Sequence, residues 1–288
     1  MAKPEKALRQ MPLVQEPTVT VDALNQRILI RNFRTDMWPA LKRRMHKEMQ
    51  AQPFQKVVLL SREQEVRFLM QQGFVLEATV DQYWQDGPVY YMSRFLTSER
   101  REAAHWVKED SLLEDVLRTE GHSLPPLSVP FQVRQATARD IPQLAALYRK
   151  VFASYPSPLT EPAYLKKSLV VNPFSVIEVN GEIVSAAAAE IDAEYRNAEM
   201  TNCATDDAYR GRGLMRHLLR HLEDRLIERN IVNAFSIARA RSFGMNAALH
   251  QEGYRYGGRL VNNCHICGNF EDMNVWGKVL KKTKGAWS

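Results

Sequence analysis

Three cysteines in 288 residues are too few for a disulfide framework and suit reduced thiols. Two of them fall in Cys264-His265-Ile266-Cys267, but zinc needs four ligands and no second Cys pair or spaced His pair completes a set. A place in a strand or hairpin is expected for this stretch, and no metal. No apolar run approaches the roughly 18 residues that span a bilayer, and Met1-Ala2-Lys3-Pro4-Glu5-Lys6 is not followed by an apolar signal core. A cytoplasmic protein without a membrane partner is therefore expected. Charge of one sign is also scarce: 39 Lys and Arg against 33 Asp and Glu leave a net +6. The densest basic runs, Lys42-Arg43-Arg44 and Lys281-Lys282-Thr283-Lys284, read as a solvated helix face and a basic tail, so no nucleic-acid partner is expected. An anionic cofactor is compatible with that balance.

With 45% apolar and 25% charged residues, the remainder is that of a globular protein large enough for two domains. Residues 1–20 are polar with three prolines and are expected to be flexible. Residues 121–130 hold three prolines among glycine and serines and read as a linker between an N-terminal domain, 21–120, and a C-terminal one, 131–288. In the first domain Lys56 to Leu60 reads as a strand, Arg62 to Gln72 as an amphipathic helix closed by Gly73-Phe74, and Val89 to Leu96 as a returning strand.

The second domain carries more. Val133 to Thr137 starts a strand, Ile141 to Phe152 a helix, and Asn180-Gly181 turns a hairpin between Ser175–Val179 and Ile183–Ile191. Glu199 to Thr205 reads as a buried strand. It is followed by Arg210-Gly211-Arg212-Gly213-Leu214-Met215 and then by a helix whose Leu214, Leu218, Leu222 and Leu226 form one apolar face. Two glycines one residue apart remove the Cβ atoms that would keep backbone N–H groups from an anion, and the helix start adds unpaired donors. Ile231 to Ala238 reads as a further strand, Ser242 to Glu252 as a helix stopped by Gly253-Tyr254, and Glu271 to Leu280 as a last strand.

This order, with R-x-x-G-x-[GA] at one helix and a Gly-aromatic pair closing the next, resembles the acyl-CoA-dependent GNAT N-acetyltransferases from about Val133 to Leu280. Met215 stands where that family prefers Gly or Ala. Ala187 to Glu190, Asn197 to Thr201, Ile237 to Ser242, Gly244 to Asn246, Gly253-Tyr254, Met273 to Trp276 and Tyr83 to Arg101 resemble the β-lysine N6-acetyltransferases over nearly the whole chain. Asn202 and Cys203 depart from that pattern, which has an acidic and an aromatic residue there. The resemblance implies an α/β fold with a mixed sheet, acetyl-CoA as cosubstrate, and a small amine, β-lysine, as acceptor. A homodimer is left open. The strand, helix, Gly-aromatic, strand order recurs in both halves, with Gly73 and Met92 19 residues apart and Gly253 and Met273 20 apart. The first domain thus reads as a degenerate GNAT-like copy that keeps the helix-and-hairpin half, lacks the glycine loop, and supports the acceptor pocket.

An alkyl ammonium of pKa about 10.4 is neutral in only about four molecules in ten thousand at pH 7, a deficit of roughly 4.6 kcal/mol, so the site must accept a proton. Glu199, six residues before Thr205, occupies the place of the family's glutamate base, with Glu190 on the preceding strand as second candidate. Either can instead bind the substrate's other ammonium. The position of the family's tyrosine acid is Leu249, which leaves Tyr254, Tyr256, His250 or no acid at all, since a thiol leaves with little help. Pantetheine is expected beside Cys203, Ala204 and Thr205, where Cys203 can approach the thioester or serve as a small buried residue. The pyrophosphate is expected on Arg210, Gly211, Arg212, Gly213, Leu214 and Met215. Ser242 and Asn246 can reach the cofactor or merely cap their helix. Arg239, then Arg241, is the expected anchor for the acceptor carboxylate, unless they meet the cofactor's 3′-phosphate.

Overall fold

The computed structural model describes residues 17–121, 123–152, 155–266 and 268–280. The expected tail at Lys281 to Lys284, Cys267 and the first sixteen residues lie outside them. The chain opens with strands β1 (Thr18–Asp22) and β2 (Arg27–Arg31), then helix α1 (Trp38–Ala51), β3 (Lys56–Ser61), α2 (Glu63–Gln71), β4 (Val75–Trp84) and β5 (Gly87–Phe95). Two helices, α3 (Ser98–Arg101) and α4 (Trp106–Leu117), lead to a stretch without regular structure. The second half runs β6 (Gln132–Gln135), α5 (Ile141–Val151), α6 (Pro162–Val171), β7 (Phe174–Val179), β8 (Glu182–Asp192), β9 (Asn197–Thr205), α7 (Leu214–Glu228), β10 (Asn233–Arg239), α8 (Phe243–Gln251), β11 (Arg255–Ile266) and β12 (Asn269–Val279).

All twelve strands form one mixed sheet in the order β1-β2-β3-β5-β4-β11-β12-β10-β9-β8-β7-β6. Reading outward from the β4–β11 seam, both sides repeat one pattern: two antiparallel neighbours, a parallel pair, then an antiparallel one. Helices α1 and α7 sit at equivalent crossovers, each preceded by a 3₁₀ turn, Thr35–Met37 and Asp207–Tyr209. The equivalence exceeds the helix-and-hairpin half expected from the sequence, because β1, β2 and α1 belong to it too. It breaks at one place: α1 follows its 3₁₀ turn directly, whereas Arg210 to Gly213 intervene before α7.

The two Gly-aromatic stops share one geometry. Phe74 N–H donates to Leu69 O at 3.1 Å and Tyr254 N–H to Leu249 O at 3.0 Å, with Gly73 and Gly253 both at φ 83°. These are the bonds of a helix end that turns through a left-handed residue. The stretch Ala186 to Ala189 of β8 is fully buried because α5 packs on one face of the sheet and α7 on the other.

Two sequence expectations need correction. Thr18 to Thr20 lie in β1, so the segment expected to be flexible ends at least three residues earlier; pairing of Thr18 with Arg31 and Val19 with Ile30 is what orders it. Helix α4, placed in the first domain by the 120/121 boundary, packs on α8 and buries Val116 in the core of the second half.

The halves meet backbone to backbone. β11 pairs with β4 through Gly258 and Ala78, and a Cβ on Gly257 would lie 1.9 Å from Thr79 O. One on Gly258 would lie 2.2 Å from Glu77 O, at φ 135°. Lys56, fully buried, spans the seam by pairing with Glu77 at 2.7 Å and donating to Val261 O at 2.7 Å. Gly258→Ala is therefore expected to cost roughly 2–4 kcal/mol, read as a lower denaturant midpoint, because both sterics and φ oppose it. Gly87→Ala, which meets nothing within 4 Å, serves as the control and should move the midpoint little.

Candidate active site

Strands β9 and β10 run parallel for only three residues, with Asn233, Ala234 and Phe235 opposite Asn197, Ala198 and Glu199. Just beyond, β9 bulges. Asn202 takes φ 53°, and the register with β8 slips between Ala188↔Thr201 and Ala186↔Ala204. A bulge bends its strand, and here it carries β9 away from β10. Ser236 Oγ donates to Met200 O at 2.8 Å as the last bridge before the gap. Past it, the β9 edge from Thr201 to Thr205 has no ladder partner on β10.

Beside the gap lies a cavity of about 320 Å³. Its floor is an apolar cluster that includes Val58, Tyr83, Tyr91, Phe235, Leu260 and Met273, drawn from both halves. Of the expected site residues, Glu190, Glu199, Cys203, Arg239 and Ser242 line it. Glu190 and Glu199 are directly paired across β8 and β9, so both carboxyls share one face. Burial pushes Glu199 up to about 7, with the neighbouring Glu190 adding to the rise and Arg31 and Arg27 opposing it. Glu190 is also raised by burial, with Arg31 and Asn202 opposing. Asn202 is 1% exposed, and its amide lies beside Glu190 but makes no hydrogen bond of good geometry.

The glycine loop stands at the far end of β9. Gly211 and Gly213 hold φ 76° and 71°, values that a side chain would resist. Arg210 to Gly213 are exposed, no side chain caps α7, and no acceptor among the described residues takes a bond from the amides of Gly211 to Met215. Such a set of free donors at a helix start fits a diphosphate. Arg210 is partly spent on Asp207 at 2.7 Å and on Thr205 O, while Arg212 lies against the Phe131 and Tyr209 rings. Thr205 Oγ1 bonds Ser185 Oγ at 2.7 Å, and Ala204 turns its methyl into the core.

Three expectations change. Asn246 is fully buried and donates to Arg239 O and Ser242 O, while its Oδ1 accepts from Asn274 and Trp276; no polar atom is left for a cofactor. Its work is to fix the β10–α8 corner. Arg241 is spent on Glu271 at 2.6 Å and does not line the cavity. Neither do Tyr254, Tyr256 and His250: Tyr254 is buried beneath Lys278, and the other two lie against Trp276. Ser242 forms no cap bond, so its hydroxyl remains at the cavity wall.

The sequence reading missed Tyr155, whose hydroxyl lies at the bulge beside Thr201 and the Asn202 amide, and the first-half residues Arg27, Leu29 and Arg31. Tyr155 sits in a Pro-rich break that carries no periodic signal. Arg27, Leu29 and Arg31 alternate along β2, a period-two pattern legible in principle.

A splayed parallel pair, a glycine turn with free amides and a half-buried carboxyl beside the gap suit an N-acetyltransferase that uses acetyl-CoA. The GNAT acetyltransferase family description matches residues 141–250. The chain is 37% identical over 227 residues to the N-acetyltransferase YodP of Bacillus subtilis, covering 78% of this chain and 82% of that one. It is 30% identical over 268 residues to the Beta-lysine N(6)-acetyltransferase of Methanococcus maripaludis, covering 92% and 97%. With the protein of the same name from Methanosarcina mazei it shares 33% over 230 residues, covering 72% and 85%. The chain belongs to the GNAT acetyltransferase family.

Between pH 4.5 and 7 the folded chain keeps a proton on Glu199 that the unfolded chain releases, so this carboxyl makes stability fall as pH rises through that window. Glu199→Gln should accordingly melt higher than the parent at pH 8, and the difference should close near pH 4. Equal melting temperatures at both pH values would show that the carboxyl is not held in a dry place.

Proposed function

We propose that the chain transfers acetyl from acetyl-CoA to the N6 amine of β-lysine, with Glu199 as the base. The observation that carries this reading is the Glu190–Glu199 pair in a cavity beside the open edge of β9. A substrate with two amines meets two carboxyls there, one of them poised near neutral pH. Two relatives at 30% and 33% identity carry the β-lysine name, and the third carries only the name N-acetyltransferase.

In this reading the amides of Gly211 to Met215 hold the pyrophosphate and the free edge of β9 from Thr201 to Thr205 takes the pantetheine as an added strand. Cys203 and Ser242 flank the acyl end. Glu199 takes a proton from the incoming ammonium. The neutral amine then forms a C–N bond to the acetyl carbon as the C–S bond breaks, and the second proton that the nitrogen sheds passes to the departing thiolate, which leaves as free thiol. Burial that raises Glu199 makes it a competent acceptor near neutral pH without giving up its proton too late. Glu190 stays beside it to hold the second ammonium.

The purified protein with acetyl-CoA and β-lysine should release free CoA thiol and give a product 42 mass units heavier, on the order of one acetyl group. Glu199→Gln should lower kcat by about 10²–10⁴ and flatten the acidic limb of the pH profile. Thiol release with another small amine but none with β-lysine would keep the transferase and discard the acceptor. Gly211→Ala combined with Gly213→Ala should raise KM for acetyl-CoA about tenfold or more, with kcat less affected, because each Cβ both opposes the local φ and stands before the amides.

A further inference from the structure

The acceptor's carboxylate needs a guanidinium, and three arginines line the cavity, with Arg241 outside it. Arg27 is bound to Asp22 at 2.9 Å and to Asn263 O at 3.2 Å. Arg241 is bound to Glu271. Arg239 lines the cavity but sits at the C-terminal end of β10, opposite Met273. Since β9 and β10 run parallel, that end lies on the same side of the sheet as Thr205 and the glycine loop, where the cofactor is expected.

Arg31 is placed differently. It closes β2 from the first half, lines the cavity at an exposed position, and its guanidinium has no ion pair or hydrogen bond among the described residues, its main chain alone being paired with Thr18. The next residue, Asn32, accepts from the hydroxyl of Tyr195 at 2.6 Å. Tyr195 lies in the β8–β9 turn, just before Asn197 begins β9. Arg31 is thereby held at the root of β9, on the opposite side of Glu199 from Thr205. It is also close enough to Glu190 and Glu199 to oppose the rise that burial imposes on both.

We propose that Arg31 is the carboxylate anchor of the acceptor site, so that the first half of the chain selects amines that also carry an acid group. This rests on the acetyl-transfer reading of the same cavity. A substrate lying along β9 would place its reacting amine at Glu199, toward the thioester, and its acid at Arg31. A guanidinium is suited to this because its planar fork meets both carboxylate oxygens at once. Arg239 is left to the cofactor end.

The test is a ratio. Turnover is measured on β-lysine and on pentane-1,4-diamine, the same molecule without its carboxylate, and likewise on lysine against cadaverine and ornithine against putrescine. The parent should prefer the acid-bearing member. Arg31→Gln should cut that preference about 10- to 100-fold, the range for a hydrogen bond to a charged group, while changing turnover of the plain diamine far less. Arg31→Lys should restore part of it, and Arg239→Gln should leave it in place. Removing Arg31 also lifts Glu199, which slows both members of a pair alike and cancels in the ratio. An unchanged preference in Arg31→Gln, or its loss in Arg239→Gln, would overturn the assignment. Should β-lysine fail while another acid-bearing amine is preferred through Arg31, the acceptor named above falls and the anchor stands. A parent that acetylates β-lysine with no preference over the diamine gives the reverse, and a parent that turns over no pair removes both.

Discussion

The site depends on β9 and β10 abandoning each other after three residues. A parallel pair ordinarily satisfies every inward backbone group, and giving up that ladder exposes donors and acceptors that must be used elsewhere. The bulge at Asn202 makes the departure, and Ser236 Oγ on Met200 O fixes where it starts. Everything else is arranged along the resulting edge. Glu199 stands where the strands are still joined, half-buried at the cavity, and burial pushes its carboxyl up to about 7. Thr205 stands where they are parted, and the glycine turn follows it. One strand therefore carries both Glu199 and the approach to the glycine turn. The distance between them is set by backbone, not by flexible side chains.

The repeated topology explains how the cavity beside Glu199 is walled from both halves. A single copy of the unit would leave the cavity open beyond β11. The first half continues the sheet past that strand and turns its own inner face toward Glu199, adding Tyr83 and Tyr91 to the floor and Arg31 to the rim. The four residues by which the two halves differ before α7, Arg210 to Gly213, are the ones that bear the exposed glycine turn. Absence of their counterpart before α1 leaves the first half to shape a wall.

Much of this was legible in the chain. The glycine turn, the leucine stripe of α7, the Asn180-Gly181 hairpin and the two Gly-aromatic stops are local signals, and local physics determines them. Glu199 was singled out by its place in the family pattern and Glu190 by lying on the preceding strand, and the structure pairs the two directly. Residues that arrive from afar were not found. Strands β4 and β11 begin directly behind the glycine stops, and β11 is interrupted by Gly257-Gly258 and by a slip between Leu260 and Cys264, so its alternation is blurred. Arg31 joins the cavity wall only when the sheet from β2 to β9, eight strands in all, brings residues of both strands to one cavity. Asn246 misled because a polar residue in a helix's first turn looks exposed, and nothing nearby announces that Asn274 and Trp276 will enclose it.

The seam at Gly257 and Gly258 has a consequence for how this molecule can be divided. Its contact is main chain against main chain, with no room for a side chain on either glycine, so no substitution there can tune the grip of one half on the other. Cutting the chain between α4 and β6 would yield two pieces, each ending in a bare strand with Lys56 or Val261 deprived of its mate. An uncovered edge of that kind recruits whatever strand is at hand. Each half thus depends on the other to cover its inner edge strand, β4 on one side and β11 on the other.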